Sequence, residues 1–239
     1  MTQLTTCLDA EAVAERAAAL IVRQLTHARE QRGIAHLALS GGTTPGATYR
    51  LLGAEPSELS GVEIWFADER CVAPEDPESN YRLAAETLLE PAALAPACVH
   101  RMQGELGPSA GAARYAAELS AQLPQEEGLP VLDLIVLGIG PDGHIASLFP
   151  GAETLDAPAE ALCLGVEDSP KPPPERITLS LSVLRAARSC LLLATGAGKG
   201  DAVSAMLAEP SHHVPASMLR RERLSVIVDD AAAPPGPRP

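Results

Sequence analysis

The sequence is poor in aromatic residues, in lysine and in positive charge. Its 239 residues include one Trp, three Tyr and two Phe, so the core must be built mainly from Ala, Val, Leu and Ile. Lys171 and Lys199 are the two lysines, and Lys plus Arg total 18 against 31 Asp plus Glu, which gives a formal net charge of −13. So few cations cannot easily form the basic patch that nucleic acids or anionic membranes require. We therefore expect no nucleic acid and no membrane as a partner.

The sequence also lacks the patterns of paired cysteines, of a signal peptide and of a membrane segment. The five cysteines are scattered, without a C-x-x-C pair or a Cys/His spacing suited to zinc. The first ten residues lack the positive charge and the apolar segment of a signal peptide. The apolar stretch around residues 134–152 contains Asp142 and several glycines and prolines, which a membrane helix tolerates poorly. These features predict reduced cysteines, no bound metal and a cytoplasmic protein.

Short apolar runs alternate with helical patterns along the chain. Residues 10–32 have helical spacing, with Asp9 as N-cap and Gly33 just past the end. Strands are predicted at 34–39, 62–66, 99–102, 131–137, 162–166, 177–179, 190–194 and 224–228, and further helices at 45–52, 79–89, 109–123, 182–187 and 200–208. This alternation predicts an α/β fold, with a Rossmann-like, mostly parallel sheet and helices on both faces.

Nothing in the composition marks a domain boundary or a repeat. We therefore expect residues 1–232 to form a single domain. The tail at 233–239 is rich in proline and is expected to be disordered. A second proline-rich segment, 170–174, is expected to be a mobile loop.

The segment Ser-Gly-Gly-Thr-Thr-Pro at 40–45 joins a predicted strand to a predicted helix, with Thr44 as the expected N-cap and Pro45 as the first helical residue. Small residues there leave backbone N–H groups free at a helix N-terminus, a geometry that binds phosphate. The Gly-Lys-Ser/Thr ending of a nucleotide-binding P-loop is absent, which favours a single phosphate ester. Taken alone, the segment is explained equally well as a tight turn.

A second glycine-rich segment, 138–143, follows the most apolar strand. It matches the pattern G-x-G-x-x-G, but Pro150 and Pro158 leave little room for the long helix of a dinucleotide-binding unit. His144 comes directly after it, where a neutral imidazole can act as a general base near pH 7. Without further context, an ordinary loop histidine is an equally good interpretation of His144.

Charged residues stand at other ends of predicted strands. Asp68, Glu69 and Arg70 follow one strand, Lys199 lies in a glycine-rich segment after another, and Arg176 precedes a third. Ligands of parallel α/β sheets bind beyond the carboxyl ends of the strands. The joint placement of these groups therefore favours a ligand site, although each alone is more often a surface charge.

Together these segments resemble the 6-phosphogluconolactonase family over about residues 10–230. The matching strings are Leu-Ser-Gly-Gly-Thr-Thr-Pro at 39–45, Trp-Phe-Ala-Asp-Glu-Arg-Cys-Val at 65–72, Ser-Asn-Tyr at 79–81, Gly-Ile-Gly-Pro-Asp-Gly-His-Ile-Ala-Ser-Leu-Phe-Pro-Gly at 138–151, Pro-Glu-Arg-Ile-Thr-Leu at 174–179 and Gly-Lys at 198–199. The string at 138–151 is the most specific. The resemblance implies a fold related to glucosamine-6-phosphate deaminase and ribose-5-phosphate isomerase, a phosphorylated sugar lactone, 6-phospho-D-glucono-1,5-lactone, as the substrate, and no required cofactor. We also expect a monomer or a weak homodimer.

The resemblance also implies roles for individual residues. His144 would activate water, with Asp142 orienting or assisting it and Arg70 as a further catalytic residue. The implied substrate-binding residues are Ser40, Gly41, Gly42, Thr43, Asp68, Arg70, Gly140, Arg176 and Lys199. Because a lactone is an activated ester, a general base worth about 10²–10⁴ in rate, with cations for the oxyanion, can suffice without a nucleophilic serine. How the three cations divide between phosphate and oxyanion stays open at this point.

Two other functions stay open. A sugar-phosphate deaminase or isomerase is disfavoured because the string after the histidine in the deaminase resembles Phe-Asn-Glu-Pro-Gly, whereas Ser-Leu-Phe-Pro-Gly stands at 147–151 here. The acidic residue of that string is therefore absent. A non-catalytic sugar-phosphate sensor is disfavoured because binding alone does not need a base such as His144.

Overall fold

The computed structural model describes residues 2–234. Within them the strands are β1 (Gln3–Cys7), β2 (Ala35–Leu39), β3 (Val62–Phe66), β4 (Asp68–Arg70), β5 (Gln125–Glu126), β6 (Leu129–Pro130), β7 (Leu134–Gly138), β8 (Cys163–Val166), β9 (Arg176–Leu179), β10 (Cys190–Ala194) and β11 (Leu224–Asp229). The α-helices are α1 (Ala10–Arg32), α2 (Thr43–Gly53), α3 (Asn80–Ala84), α4 (Pro108–Gln122), α5 (Leu181–Ala186) and α6 (Gly200–Met206).

Six of the strands form the central sheet, in the order β1-β11-β10-β7-β2-β3. Every neighbouring pair in this sheet is parallel. All residues of β2 and β10 are buried, and because successive side chains of a strand point to opposite faces, both faces of the sheet are covered. The predicted α/β fold with a mostly parallel sheet is confirmed.

Helix α1 shows how closely local sequence signals determine an element. It begins where Asp9 accepts a hydrogen bond from the N–H of Ala12 at 2.9 Å, and it ends where Gly33 adopts φ = 80° and donates its N–H to Arg29. A carboxylate N-cap and a left-handed glycine satisfy backbone groups that the helix leaves unpaired. The predicted bounds of this helix are therefore confirmed at both ends.

A small antiparallel sheet, in the order β4-β9-β8, lies beside the central one. Ala67 connects the two sheets, since its N–H donates to Leu39 of β2 and its carbonyl accepts from Leu179 of β9. The predicted strands at 162–166 and 177–179 are therefore present, but outside the parallel sheet. Asp68–Arg70, which sequence reasoning placed after a strand, forms a strand of its own.

Local predictions differ from the structure in several places, of which three follow. Strand β1 was not predicted, because its adjacent threonines and partly exposed side chains resemble a surface segment until β11 pairs with it. The predicted strand at 99–102 is reduced to one bridge between Ile64 and Val99. Helix α2 begins two residues earlier than predicted, with Gly42 instead of Thr44 as its N-cap, because the side chain of Thr44 bonds elsewhere.

The order in which the chain adds strands to the sheet reverses between the neighbouring parallel strands β2 and β7. From β2 the chain continues to β3 on one side, whereas from β7 it continues to β10 and β11 on the other side. The loops after β2, β7 and β10 therefore lie side by side at the carboxyl edge of the sheet. Such a switch point is where open α/β sheets form their ligand crevices.

The tail predicted to be disordered falls mostly outside the described residues. Residues 235–239 are not described, while Ala232 is buried and Ala233 packs against the core. In the part of the chain that is described, no helix combines the length and the apolar character needed to cross a membrane.

Candidate active site

A cleft of about 300 Å³ opens at the switch point between β2 and β7. It gathers residues that are far apart in the sequence. Its walls include Ser40, Gly41, Gly42, Thr43, Asp68, Arg70, Gly140, His144, Lys171, Arg176 and Lys199. Asp142, the remaining site residue predicted from sequence, lies behind His144.

One wall of the cleft is the N-terminus of α2. No side chain among the described residues caps this helix, so its first backbone N–H groups are free to meet an anion. Thr44 Oγ1 instead lies 2.7 Å from Thr195 Oγ1, which joins the first turn of α2 to the loop after β10. Ser40 Oγ is buried and has no hydrogen-bond partner within residues 2–234. This wall offers the donors that a phosphate group needs.

Gly41 is required by a close approach of the chain to Asn80. A Cβ built on Gly41 would overlap the side-chain amide of Asn80. That amide donates from Nδ2 to the backbone oxygen of Asp68 at 2.9 Å and to its Oδ1 at 3.2 Å. The glycine therefore lets the loop after β2 lie directly against the group that fixes Asp68.

Opposite this wall, His144 and Asp142 form a hydrogen-bonded pair. His144 Nδ1 lies 2.6 Å from Asp142 Oδ1, and a tight turn fixes the pair because Gly140 donates its N–H to the carbonyl of His144 and Gly143 donates to Gly140. Burial alone would raise the pKa of Asp142, but the hydrogen bonds and charges of His144 and Lys171 lower it to about 2. Asp142 is thus an anion at neutral pH.

The protonation of Asp142 decides which nitrogen of His144 carries a proton. A carboxylate at this distance requires a proton on Nδ1, which leaves the lone pair on Nε2. Burial lowers the pKa of His144; the charge of Lys171 acts in the same direction, while Asp142 and Asp68 oppose it. A neutral imidazole with a free Nε2 is the form that can accept a proton from water.

Lys199 and Arg70 are two cations of the cleft that retain free donors. Lys199 Nζ donates to the carbonyl of Ile139 at 2.7 Å, and burial together with the charge of Lys171 lowers its pKa. Arg70 Nη1 donates to the carbonyl of Glu78 at 2.6 Å. Arg70 Nε is buried and has no partner in the described part of the chain. Both side chains line the cleft and can therefore bind an anionic group there.

Arg176 is the most buried cation of the site, with 3% of its surface exposed. Its Nε donates to the carbonyl of Pro173 at 3.0 Å, and its Nη2 donates to the carbonyls of Lys171 and Pro172 at 3.1 and 3.0 Å. Its Nη1 lies 3.5 Å from Ser147 Oγ. Most of its donors thus point at the protein, and its binding of substrate stays a prediction.

Asp68 places a buried negative charge in the same cleft. Its Oδ2 accepts from Ser147 Oγ at 2.8 Å, in addition to the hydrogen bond from Asn80. A carboxylate held in this way accepts hydrogen bonds from hydroxyl groups and repels the negative charge of a phosphate. The cleft therefore offers different surfaces to different parts of a phosphorylated polyol.

Comparison with known proteins shows the family of the chain. The family model described as glucosamine-6-phosphate isomerases/6-phosphogluconolactonase matches residues 8–228. The chain belongs to this family. A 6-phosphogluconolactonase of Streptomyces coelicolor is 38% identical to the chain, over 99% of the chain and 95% of that protein. The family resemblance predicted from the sequence is confirmed.

Solved structures of related proteins have the same fold. The crystal structure of a 6-phosphogluconolactonase from Leishmania guyanensis superposes with a TM-score of 0.87 at 27% identity, over 97% of each chain. A monomeric glucosamine-6-phosphate deaminase superposes with a TM-score of 0.79 at 21% identity, over 97% of this chain and 98% of that one. The predicted relation of the fold to the deaminase is therefore confirmed.

One residue of this family member's cleft was missed by sequence reasoning. Lys171 Nζ lies 3.1 Å from Asp142 Oδ1 and 3.2 Å from His144 Nδ1. The usable signal was its rarity, since Lys171 and Lys199 are the two lysines of the chain. The position of Lys171 in a proline-rich segment between strands concealed it, because a loop's path cannot be read from local sequence.

Glu69 has a structural role beside the cleft. Its carboxylate accepts the backbone N–H groups of Arg70, Asn80 and Tyr81, each at 2.7 Å. Burial raises its pKa, while these three hydrogen bonds lower it. Glu69 thus fixes the start of α3 against β4 and so sets the positions of Arg70 and Asn80.

Among residues 2–234, no group of three or more His, Cys, Asp or Glu side chains is arranged to hold a metal ion.

Proposed function

We propose that the chain hydrolyses 6-phospho-D-glucono-1,5-lactone to 6-phospho-D-gluconate, a step of the oxidative pentose phosphate pathway, with His144 as the general base. The observation that carries the proposal is the Asp142–His144 pair, which faces an uncapped helix N-terminus across one cleft. The relative from Streptomyces coelicolor bears the name of this activity and covers nearly the whole chain.

The reaction needs one proton carrier and one place for negative charge. His144 Nε2 takes a proton from water while the water oxygen attacks the lactone carbonyl carbon. The tetrahedral oxyanion then collapses by breaking the bond to the ring oxygen, and the imidazolium returns the proton to that oxygen. Asp142 stabilises the imidazolium in between, as a carboxylate does in hydrolytic triads. The products are an alcohol and a carboxylic acid, which ionises.

We assign the phosphate to the N-terminus of α2 together with Arg70. The free N–H groups of the helix and the guanidinium of Arg70, which lines the same cleft, supply donors for it. We assign the oxyanion to Lys199, which lies near enough to Asp142 and Lys171 for their charges to affect its pKa. A compact ammonium beside the base suits an oxygen that becomes charged only in the transition state. Asp68 then accepts a hydrogen bond from a hydroxyl group of the sugar.

The assignments of the two cations can be separated by kinetics. Replacement of Arg70 by Ala should mainly raise KM, because phosphate is bound in the ground state and in the transition state alike. Replacement of Lys199 by Ala should mainly lower kcat. The reverse pattern would exchange the two roles.

The deaminase and the sensor are less well supported. Phe149 stands where the deaminase string has its acidic residue, and its ring is buried against His144. The likeness to the solved deaminase concerns the fold. A sensor would not need a base whose tautomer is fixed by a carboxylate.

The function is tested with freshly prepared lactone. Purified protein should accelerate its loss, followed by NMR, above the spontaneous rate. His144→Ala should remove most of the gain, about 10²–10⁴-fold if the imidazole is the base. His27→Ala is the matched control, since His27 is exposed on α1. A His144→Ala protein as fast as wild type would refute the assignment, and ammonia release from glucosamine 6-phosphate would favour the deaminase.

The cellular compartment, oligomeric state and partners of the enzyme belong to the same proposal. All five cysteines are free thiols, which suits a reducing compartment such as the cytoplasm. The cytoplasmic location, the monomeric or weakly dimeric state and the absence of nucleic acid partners stay predictions.

A further inference from the structure

The proline-rich loop after β8 brings a positive charge to the back of the His144 ring. Lys171 lies in this loop, and its ammonium is 3.1 Å from Asp142 Oδ1 and 3.2 Å from His144 Nδ1. Ser169 holds the base of the loop, because its Oγ donates to the carbonyl of Lys171 and accepts the N–H of the same residue. The ammonium is thus part of the Asp142–His144 pair rather than a cation free in solvent.

Arg176 fixes the backbone that carries this ammonium. Its guanidinium donates to three successive carbonyls, those of Lys171, Pro172 and Pro173. It also lies over the ring of Phe149, 5.6 Å from the ring centre, and His144 packs on the same ring at 4.7 Å. Arg176, Phe149 and His144 therefore form one packed unit, and the loop cannot leave it without breaking three charge-assisted hydrogen bonds.

We propose that Lys171 is a positioning residue which keeps Asp142 ionised and His144 neutral, and that Arg176 holds Lys171 in place through the loop carbonyls. Since Nδ1 already donates its proton to Asp142, the ammonium cannot donate to Nδ1. It donates to Asp142 Oδ1, and its charge opposes a second proton on the imidazole. The catalytic consequence rests on the proposed function, whereas the effect on His144 does not.

The charged groups around His144 fix the direction of the effect. Asp142 from its own turn and Asp68 from β4 favour the imidazolium, and Lys171 from the loop disfavours it. Arg70, Arg176 and Lys199 add positive charge to the same cleft. Without Lys171, less positive charge offsets the two carboxylates that stabilise the imidazolium, so the pKa of His144 should rise. A higher pKa means that the base is lost at a higher pH.

The first measurement is independent of any substrate. The ring nitrogens of His144 are titrated by ¹⁵N NMR in the whole protein, assigned by comparison with His144→Ala. In wild type, the neutral ring should carry its proton on Nδ1. In Lys171→Met the midpoint should move to higher pH, while Lys171→Arg, which keeps the charge, should stay close to wild type. Arg23→Met is the charge control, because Arg23 is exposed on α1 near the amino ends of the strands.

Two results would overturn the proposal. If the His144 midpoint is the same in wild type and Lys171→Met, the ammonium does not act on the ring. If Lys171→Arg moves the midpoint as far as Lys171→Met does, the effect comes from the loop structure and not from the charge.

The role of Arg176 is tested by a double-mutant cycle. Arg176→Lys should move the His144 midpoint in the same direction as Lys171→Met, and the double variant should move it no further than Lys171→Met alone. Additive shifts would contradict an action through Lys171. Circular dichroism checks that the buried substitution leaves the fold intact.

The kinetic arm uses the lactone. In Lys171→Met the acid limb of kcat/KM should move to higher pH by the same amount as the NMR midpoint, with the rate at high pH largely retained. An NMR shift without any lactone hydrolysis in wild type would refute the proposed function but not the effect on His144. Hydrolysis with an unchanged limb in Lys171→Met would refute the role of Lys171 alone.

Discussion

The carboxylate of Asp142 lies 2.6 Å from Nδ1 of His144, and the same oxygen accepts the ammonium of Lys171 at 3.1 Å. One oxygen atom of Asp142 thus contacts both the imidazole of His144 and the ammonium of Lys171. The two charged partners of the imidazole have opposite effects on its pKa. The carboxylate stabilises a second proton on the ring, and the ammonium opposes it. The two partners should therefore have opposite effects when each is removed.

Asp142→Asn tests the carboxylate. The amide oxygen can still accept the proton of Nδ1, but a neutral group no longer stabilises the imidazolium. The pKa of His144 should fall, and kcat should drop by about 10²-fold or more with little change in KM. The acid limb of kcat/KM should move to lower pH, opposite to Lys171→Met. An acid limb that moves in the same direction in both variants would contradict this arrangement.

Asp142 should also contribute to acid stability. Its pKa of about 2 in the folded protein lies below the unfolded value of 3.8, so its stabilisation is complete above about pH 4 and is lost as the pH falls through 2. After allowance for partial exposure we expect about 1 kcal/mol. Urea unfolding should show wild type more stable than Asp142→Asn at pH 5, with a difference that shrinks toward pH 2. A constant difference would argue against this pKa.

Gly41→Ala should damage the site without unfolding the protein. The new Cβ would displace the side chain of Asn80, which holds Asp68. We expect a rise in KM and a fall in kcat of about tenfold or more, since misplaced binding groups cost up to about 10²-fold in rate. Gly200→Ala is the matched control, because its Cβ meets ordinary van der Waals contacts at the start of α6. Equal activity of the two variants would show that Asn80 can move freely.

Tyr49→Phe should weaken the loop after β2. The Tyr49 hydroxyl donates to the carbonyl of Ser40 at 2.9 Å and accepts its N–H at 3.1 Å, in a fully buried place. Its loss leaves both backbone groups of Ser40 unsatisfied and should lower the free energy of unfolding by about 1–3 kcal/mol. Tyr81→Phe, at a partly buried tyrosine on α3, serves as the control. A loss no larger than that of the control would contradict the hydrogen bonds.

The sequence predicts best what depends on local signals. The caps of α1 and the apolar strands β2, β3 and β10 follow from residue patterns that one segment contains. The meeting of Ser40, Asp68, His144 and Lys199 also follows, since parallel strands direct their following loops to one edge.

What sequence reasoning misses depends on contacts between distant segments. Strand β1 exists because β11 lies beside it, and β4, β8 and β9 form their own sheet because the chain crosses at Ala67. Lys171 reaches His144 because Arg176 bends the intervening loop. None of these contacts has a local pattern.

The pairing of β1 with β11 has a consequence for how the protein is made. Gln3 is the register partner of Ser225 and Cys7 that of Asp229, so β1 cannot pair until β11, which lies much later in the chain, has been synthesised. Asp229 also accepts the N–H of Gly196, which ties the turn before Lys199 to the end of β11. Such distant pairings delay folding. We expect the sheet edge and the Lys199 turn to form only after β11 has been synthesised, which leaves the nascent chain dependent on chaperones for longer than a chain of local contacts would be.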